Sequence, residues 1–518
     1  MKKKLLAVLL TAAMSVSVLS GCGNGGSGKE SSSQASGNQE SSESQSGGTE
    51  SKTEETGTLN DENGETVTLT FATLGTEAAC QEQVLAAINE KLQADGLNIR
   101  VQIKILDDYW NKIALDIAGG TEYDLAWAHS STLSDLVSKK VYQPITPALN
   151  SVGQELKAKT PEHVLRGGTV NGEIYAIPRV IPTTGFNNTF DVRKDLMDKY
   201  EIEKITTIEE LEAYFQAVLD NEESVYPYSG TNISPMLPIF ANYHYILGDG
   251  IFAMYVDPED AELTVKSFWE SDEFVQIFEK RKEWAEKGYL MSDTSTFENP
   301  DHGFEYGMVA AVDSNVMRVS ERVDGMKNTL PEAEPYTVYL EPKTRWIYSA
   351  GDNMLAVPST SKHVNEAVEL IQWFKCNQEN YDLWSYGVEG VNYEKNGEAI
   401  DISNIASENV WSPMVWMWND MDVARFSANF SQDAIQRLTD WDSQSQTSPL
   451  LGFVLDESKI KAEASQIRAI MTEYADNLAK GDLDVNEVRD EIIGKMKAAG
   501  IDKVIEETQK QVDTFAGK

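Results

Sequence analysis

Val67-Thr68-Leu69-Thr70-Phe71 opens the stretch that decides the fold, and Ile99-Arg100-Val101-Gln102-Ile103-Lys104-Ile105 closes it. In both segments apolar residues alternate with polar ones, the period-two pattern of a half-buried strand. Between them Val84, Ile88 and Leu92 recur at every fourth position, and Gly96 stops the helix they define. Strand, helix and strand within about 40 residues make a βαβ unit, which requires a parallel pair with a right-handed crossover. Working outward, 111–118 reads as a short helix halted by Gly119-Gly120, 123–128 as a third strand, and 131–139 as the helix after it. The order predicts an open α/β sheet. In such sheets ligands bind beyond the carboxyl ends of the strands, where loops meet helix N-termini. Trp127, His129, Ser130 and Ser131 fall at that place. Composition alone leaves Trp127 open between core and ligand contact.

Upstream, Lys2, Lys3 and Lys4 precede an uncharged apolar run from Leu5 to Leu19, followed by Ser20-Gly21-Cys22. Basic, apolar, then small residues is the layout of a secretory signal. The run falls short of the ~20 apolar residues that span a bilayer. Its small-small-Cys ending resembles a bacterial lipobox, which implies a signal peptide over 1–21 and a diacylglyceryl group on Cys22. Two acyl chains give stable anchoring where one does not. An ordinary cleaved signal with a Cys nearby is the alternative. From Gly23 to Thr58 there is no aromatic and no branched aliphatic residue. Such a segment has nothing to bury and is expected to stay disordered. As a flexible coil it reaches roughly 30–35 Å, enough to hold a folded body off a lipid surface.

The remaining residues suffice for two domains with a large buried core. A formal charge of −39 argues against nucleic acid and against direct adhesion to anionic lipid. Of three cysteines, Cys80 and Cys376 remain after Cys22, and they either pair or stay as two buried thiols. Five scattered histidines give no zinc spacing. Asp482-x-Asp484-x-Asn486 imitates a calcium loop, but Glu487 stands where glycine is needed and Ile493 where the bidentate Glu belongs. Neither metal nor cofactor is expected.

Four segments carry a family resemblance. Tyr123-Asp124-Leu125-Ala126-Trp127-Ala128-His129, with Tyr142-Gln143-Pro144-Ile145, resembles the first lobe of family 1 extracellular solute-binding proteins. These are the carbohydrate-capturing receptors of ABC importers, and maltodextrin-binding proteins belong to the group. Asn171-Gly172-Glu173-Ile174-Tyr175-Ala176-Ile177-Pro178 is similar to their segment entering the hinge. Residues 350–392, with Ser359-Thr360-Ser361-Lys362-His363 and Tyr386-Gly387-Val388-Glu389-Gly390, resemble a subgroup of sugar-uptake lipoproteins. Residues 452–514, with Lys497-Ala498-Ala499-Gly500-Ile501-Asp502, are like that subgroup's uncharacterised C-terminal region.

The resemblance implies an α/β, periplasmic-binding-protein-like fold, two lobes joined by crossing hinge strands, with a helical C-terminal extension. Mapped here, an anchor and linker occupy 22–62, the first lobe 63–176, the second 177–340 and a first-lobe return 341–405. Residues 406–518 then complete the second lobe and carry the C-terminal helices. The chain should cross near Ile177-Pro178, return near 336–342, and cross again around 400–410. Independently, Ile460, Ala464, Ile467, Met471, Tyr474 and Leu478 form one apolar helical stripe ended by Gly481. Val485, Val488, Ile492 and Met496 begin a second helix that ends at Gly500. Such stripes are packing faces first.

The implied function is capture of a carbohydrate, an oligosaccharide, by lobe closure, and its delivery to an ABC import permease. The receptor would act as a lipid-anchored monomer on the outer face of the cell membrane, binding no nucleic acid. A sugar presents flat C–H faces ringed by hydroxyls, so aromatic rings and planar polar groups suit it. Trp127 is the stacking candidate, since the aromatic here contacts sugar in maltodextrin-binding relatives. His129, Ser130 and Ser131 would hydrogen-bond hydroxyls from the same loop. Arg179 either points into the cleft or braces the hinge. Asp313 and Asn315 follow the apolar run 308–312, where relatives often bring a Trp; this chain lacks one, and Trp346 is the substitute. Trp411, Trp416 and Trp418 lie in a segment that faces the cleft in some relatives, and at least one of them should be core. Tyr109-Trp110 reads as interlobe packing. Two rival classes stay open, a surface adhesin or sugar-sensing receptor of the same fold and an exported glycoside hydrolase, which needs two carboxylates about 5–10 Å apart. No Gly-x-Ser-x-Gly elbow or His-Glu-x-x-His motif occurs, and the expectation is a protein with no catalytic residues.

Overall fold

The computed structural model describes residues 60–61, 64–249, 251–291, 300–349 and 351–518. The segment expected to be a signal peptide, Cys22 and nearly all of the expected linker lie outside the described residues. Val67–Thr73 pairs in parallel with Ile99–Ile105, from Val67 opposite Ile99 to Thr73 opposite Ile105. The intervening helix, Gln81–Ala94, buries Val84, Ile88 and Leu92 against them. Leu125–His129 joins the other side of 67–73, also in parallel. Two more strands complete the sheet, giving the order 99–105, 67–73, 125–129, 353–356, 176–178. Asn353–Ala356 runs antiparallel to both of its neighbours. All four of its residues are buried, so no alternation marks it as a strand.

The second lobe has its own core. Thr189–Arg193 is its central strand, flanked antiparallel by Ala311–Ser314 and Pro335–Val338. A second antiparallel sheet, His244–Asp249, Ile251–Val256 and Val265–Ser267, packs on the same core. The C-terminal helices Lys461–Ala479, Val485–Ala498 and Ile501–Phe515 do not form a separate body. Ile467, Met471, Leu478, Ile492, Val504 and Val512 belong to one continuous cluster with Phe190, Phe215 and Trp284. The apolar stripe is a packing face, as its spacing predicts. The third helix has the same signal in Ile501, Val504, Thr508 and Val512, all buried.

Three segments cross between the lobes. The first leaves at Ala176–Pro178. The return falls between Val338, still in the second sheet, and Asn353, already in the first. The third needs correcting. Residues from 406 onward are expected to complete the second lobe, yet Trp411, Met417 and Trp418 are buried in the first core. The crossing comes at 419–421, where Val180 donates to the Asn419 carbonyl at 2.8 Å and Met421 donates to the Val180 carbonyl at 2.8 Å. An aromatic cluster states that it will be buried, but not in which core. Just before the crossing, Lys375 Nζ donates to the Trp418 carbonyl at 2.9 Å and lies 3.3 Å from Asp420, both side chains buried. Cys80 and Cys376 are free thiols.

Candidate functional site

The crossing segments hold the lobes around a chain of cavities. The roomiest of these three, about 620 Å³, is lined by the 183–188 loop, by Asn232, by the 244–245 strand, and by Asp313, Asn315 and Arg318. His244, Tyr245, Tyr348 and Ser349 also line a second cavity of about 290 Å³, so the two share a wall. Across that second cavity stand Ser130, Ser131 and Arg166 of the first lobe. A third, about 430 Å³, lies between Arg179, the 410–416 segment and Met317, Ser320 and Glu321.

The first-lobe wall rests on aromatic rings packed tilted or edge-on against one another. Trp127 forms its base and is only 6% exposed. Its indole N–H donates to Asn353 Oδ1 at 2.9 Å, and its carbonyl accepts from the hydroxyls of Tyr109 at 2.7 Å and Tyr142 at 3.1 Å. Trp110 packs against it at 4.3 Å between centroids and Trp416 meets it edge-on at 5.1 Å. This corrects the expectation for Trp127, which has no free face to offer a sugar. Trp110, 38% exposed, is the ring this pile presents to solvent, and it is not interlobe packing. Trp411 is buried, donating to the Trp384 carbonyl at 3.1 Å, but still edges the third cavity. His129 Nδ1 accepts from the Ser131 amide at 3.2 Å, which caps the helix Ser130–Ser138. Ser130 and Ser131 line the second cavity.

Arg179 is a brace. Its guanidinium makes a bidentate pair with Asp352, both bonds 2.7 Å, and a third bond to the Trp416 carbonyl at 3.1 Å. Burial pushes the Asp352 carboxyl up, but the adjacent guanidinium outweighs it and holds the group below the usual range. The pair ties the first crossing to the second, because Asp352 lies in the return segment. Trp346 belongs to the same return, where 346–347 pairs in parallel with Gln446–Thr447; it lines none of the three cavities.

The second-lobe wall is polar. Asp313 accepts from the Tyr228 hydroxyl and from the Asn232 amide at 2.9 Å. Burial raises its pKa, with the Arg281 charge pulling the other way. Asn315 Oδ1 accepts from the amides of Met317 at 3.1 Å and Arg318 at 3.0 Å, fixing the start of the helix Arg318–Thr329. Behind them Arg322 donates to Asp191, and Ser314 Oγ donates to the same carboxylate at 2.7 Å. His244 is buried, which lowers its pKa to about 4 and keeps the imidazole neutral at physiological pH.

Five arginines line the three cavities, and each is paired within the chain: Arg166 with Glu162, Arg179 with Asp352, Arg318 with Glu321, Arg322 with Asp191, and Arg425 with Asp382 and Glu398. Among the described residues no lysine lines them. Sequence reasoning found Ser130, Ser131, Asp313, Asn315 and Trp411 on this surface. It missed the loop Phe186-Asn187-Asn188 and the pair His244 and Tyr348. An aromatic followed by two amides soon after a crossing strand is a signal that could have found the loop.

Comparison with known proteins agrees with this geometry. The family model for bacterial extracellular solute-binding protein matches residues 75–379, and a domain of unknown function (DUF3502) matches 449–517. A "Carbohydrate ABC transporter substrate-binding protein" of Streptococcus pneumoniae is 24% identical over 84% of this chain and 88% of its own length. The solved structure of the N-glycan transport solute binding protein NgtS from Streptococcus pneumoniae superposes with a TM-score of 0.74 at 20% identity, covering 87% of this chain and 99% of that one. A cyclo/maltodextrin-binding protein complexed with maltotetraose superposes with a TM-score of 0.53 at 17% identity, covering 85% and 98%. With more than half of its length matched by the family model and a two-lobed fold around a central cleft, the chain belongs to the bacterial extracellular solute-binding protein family.

Proposed function

We propose that this protein is a lipid-anchored receptor that captures an uncharged oligosaccharide between its lobes and hands it to the permease of an ABC importer. The observation that carries the reading is the lining of the cleft. Amides, hydroxyls and aromatic edges surround the cavity of about 620 Å³, while the arginines around all three are neutralised by carboxylates of the chain itself. Planar amides match the hydroxyl rim of a sugar, and Trp110 and Trp416 offer ring surface for its C–H faces. A carboxylated sugar would instead meet Asp313, Glu321 and Asp324 in a strongly acidic protein and find no uncommitted cation among the described residues that line the three cavities. The relative from Streptococcus pneumoniae named for carbohydrate transport, and NgtS structures in complex with Man1GlcNAc and Man5GlcNAc, favour a glycan ligand here too.

Capture would work by closure: Ser130, Ser131 and Trp110 contribute from one lobe, Asp313, Asn315 and the 186–188 loop from the other. The closed state gains contacts that neither lobe offers alone. Nothing in this scheme breaks a covalent bond, and the protein acts as a binder. The lipid on Cys22 and the polar leash would keep it at high effective concentration beside the membrane subunits. The test is a thermal-shift screen of residues 58–518 against mono- and oligosaccharides, with peptides and inorganic anions as controls. Ligand at 100 times its Kd adds about 2.7 kcal/mol of stability, a shift of several degrees. A rise with a saccharide supports the reading; a rise with a peptide or anion and with no saccharide overturns it.

A further inference from the structure

The carbonyl of Ala479, the last residue of the 461–479 helix, accepts a hydrogen bond from Nε of Arg281 on the helix Asp272–Glu286. Arg281 is completely buried. Its Nη2 donates to the carbonyl of Gly230, and its guanidinium sits 5.2 Å from the centre of the Tyr228 ring. Gly230 has no room for a side chain, because a Cβ there would meet the Tyr228 hydroxyl at 2.4 Å and Asp313 Oδ2 at 2.5 Å. Two residues on, the Asn232 amide holds Asp313, and both residues line the cavity of about 620 Å³. One guanidinium therefore touches the end of a C-terminal helix and the loop behind the floor of the cleft. The contact on the C-terminal side is equally close. Gly481 has a φ of +76°, and a Cβ there would meet Ala285 Cβ at 2.7 Å and the Arg281 carbonyl oxygen at 3.1 Å.

We propose that Arg281 is a positioning residue through which the C-terminal helices fix the 229–232 loop and Asp313, so that this region of unknown function sets the shape of the ligand site from behind. The carbonyls at a helix C-terminus lack internal partners and carry partial negative charge, which a buried cation satisfies. Arginine suits the task because its donors lie in one rigid plane, so a shift at Ala479 is carried to Gly230. A lysine stem would absorb such a shift in its rotamers. The charge acts as well as the fork, since Arg281 draws the Asp313 carboxyl down against the effect of burial. The inference rests on the cavity beside Asn232 and Asp313 being the ligand site, but its test is read without ligand.

The experiment is amide hydrogen exchange, followed by mass spectrometry, on the unliganded 58–518 body. The wild type is compared with Arg281→Met, Arg281→Lys and Gly481→Ala. The expected result is that peptides covering 229–232 exchange at least about tenfold faster in Arg281→Met and in Gly481→Ala, with Arg281→Lys intermediate, while the first-lobe strand 99–105 keeps its wild-type rate. Gly481→Ala is the decisive variant, because it touches neither the loop nor Asp313. If it loosens only 272–286 and 461–498 and leaves 229–232 unchanged, the coupling is refuted. Should Arg281→Met fail to fold, the other two variants carry the comparison. A failed saccharide screen would leave these rates as they are, so the two readings fail separately.

Discussion

The two walls of the cleft keep their shape by different means. On the first lobe Trp127, Trp110, Trp416 and Tyr109 hold one another through ring contacts and a few hydrogen bonds to backbone or amide groups. On the second lobe Asp191, Arg322, Asp313 and Arg281 do so through buried charge. Apolar packing is non-directional and indifferent to pH, and it tolerates small rearrangements. A buried ion pair is directional and fails sharply when one member is removed, because the other is left uncompensated. The difference teaches how each half of the site will respond to damage. The aromatic wall should lose stability in proportion to the volume deleted, and the polar wall should be sensitive to single atoms and to protons.

The largest effect should come from the polar wall. Asp191→Ala strands Arg322 without its carboxylate and should cost about 3–5 kcal/mol, read by urea unfolding of the 58–518 body. A loss below 1 kcal/mol would put the strength of that wall elsewhere. Trp127→Ala should follow at about 3–4 kcal/mol, since it empties a packed site and leaves Asn353 Oδ1 without the indole N–H that donates to it. If Trp127→Ala leaves stability intact while abolishing ligand binding, its ring is a contact after all and the comparison is broken.

Protons should separate the walls next. His244 has its folded-state pKa lowered to about 4 by burial, against about 6.5 when unfolded. The unfolded chain then binds the extra proton between those values, so stability is full above pH 6.5 and falls as pH drops through that window. The loss by pH 4 should be on the order of 3 kcal/mol, and a His244→Gln variant should lack it. Unfolding midpoints of the two proteins between pH 7.5 and 4 provide the check, and parallel curves would remove His244 from the account. Trp110→Ala should have the smallest effect on stability, under about 1 kcal/mol because the ring is well exposed, yet should weaken saccharide binding about tenfold. Unchanged affinity would move the stacking surface to Trp416.

The first lobe was largely legible because its signals are local. Val67 to Ile105 contains a whole βαβ unit, with alternation and helical spacing side by side, and the carboxyl end of 125–129 is where the site begins. The second lobe was not legible. Its central strand 189–193 pairs with 311–314 and 335–338, partners more than a hundred residues away, and all five of its residues are buried, so no alternation survives. The site divides in the same way. Ser130 and Ser131 come from the rule that ligands meet strand ends, whereas Asp313 and Asn315 come only from the family resemblance. Trp127 and Arg179 were placed at the right point in the chain, but whether each faces the cleft depends on Trp110 and on Asp352, which only the packed structure brings to them.

The most direct measurement of the central claim is calorimetric titration of the 58–518 body with tetrasaccharide pairs that differ only at C6, a neutral hexose chain and its uronate counterpart. Gluco, manno and galacto series should all be run. The account predicts that at least one neutral member binds and that its carboxylated partner binds at least tenfold more weakly or not at all. A uronate that binds as tightly as, or more tightly than, its neutral partner would contradict it.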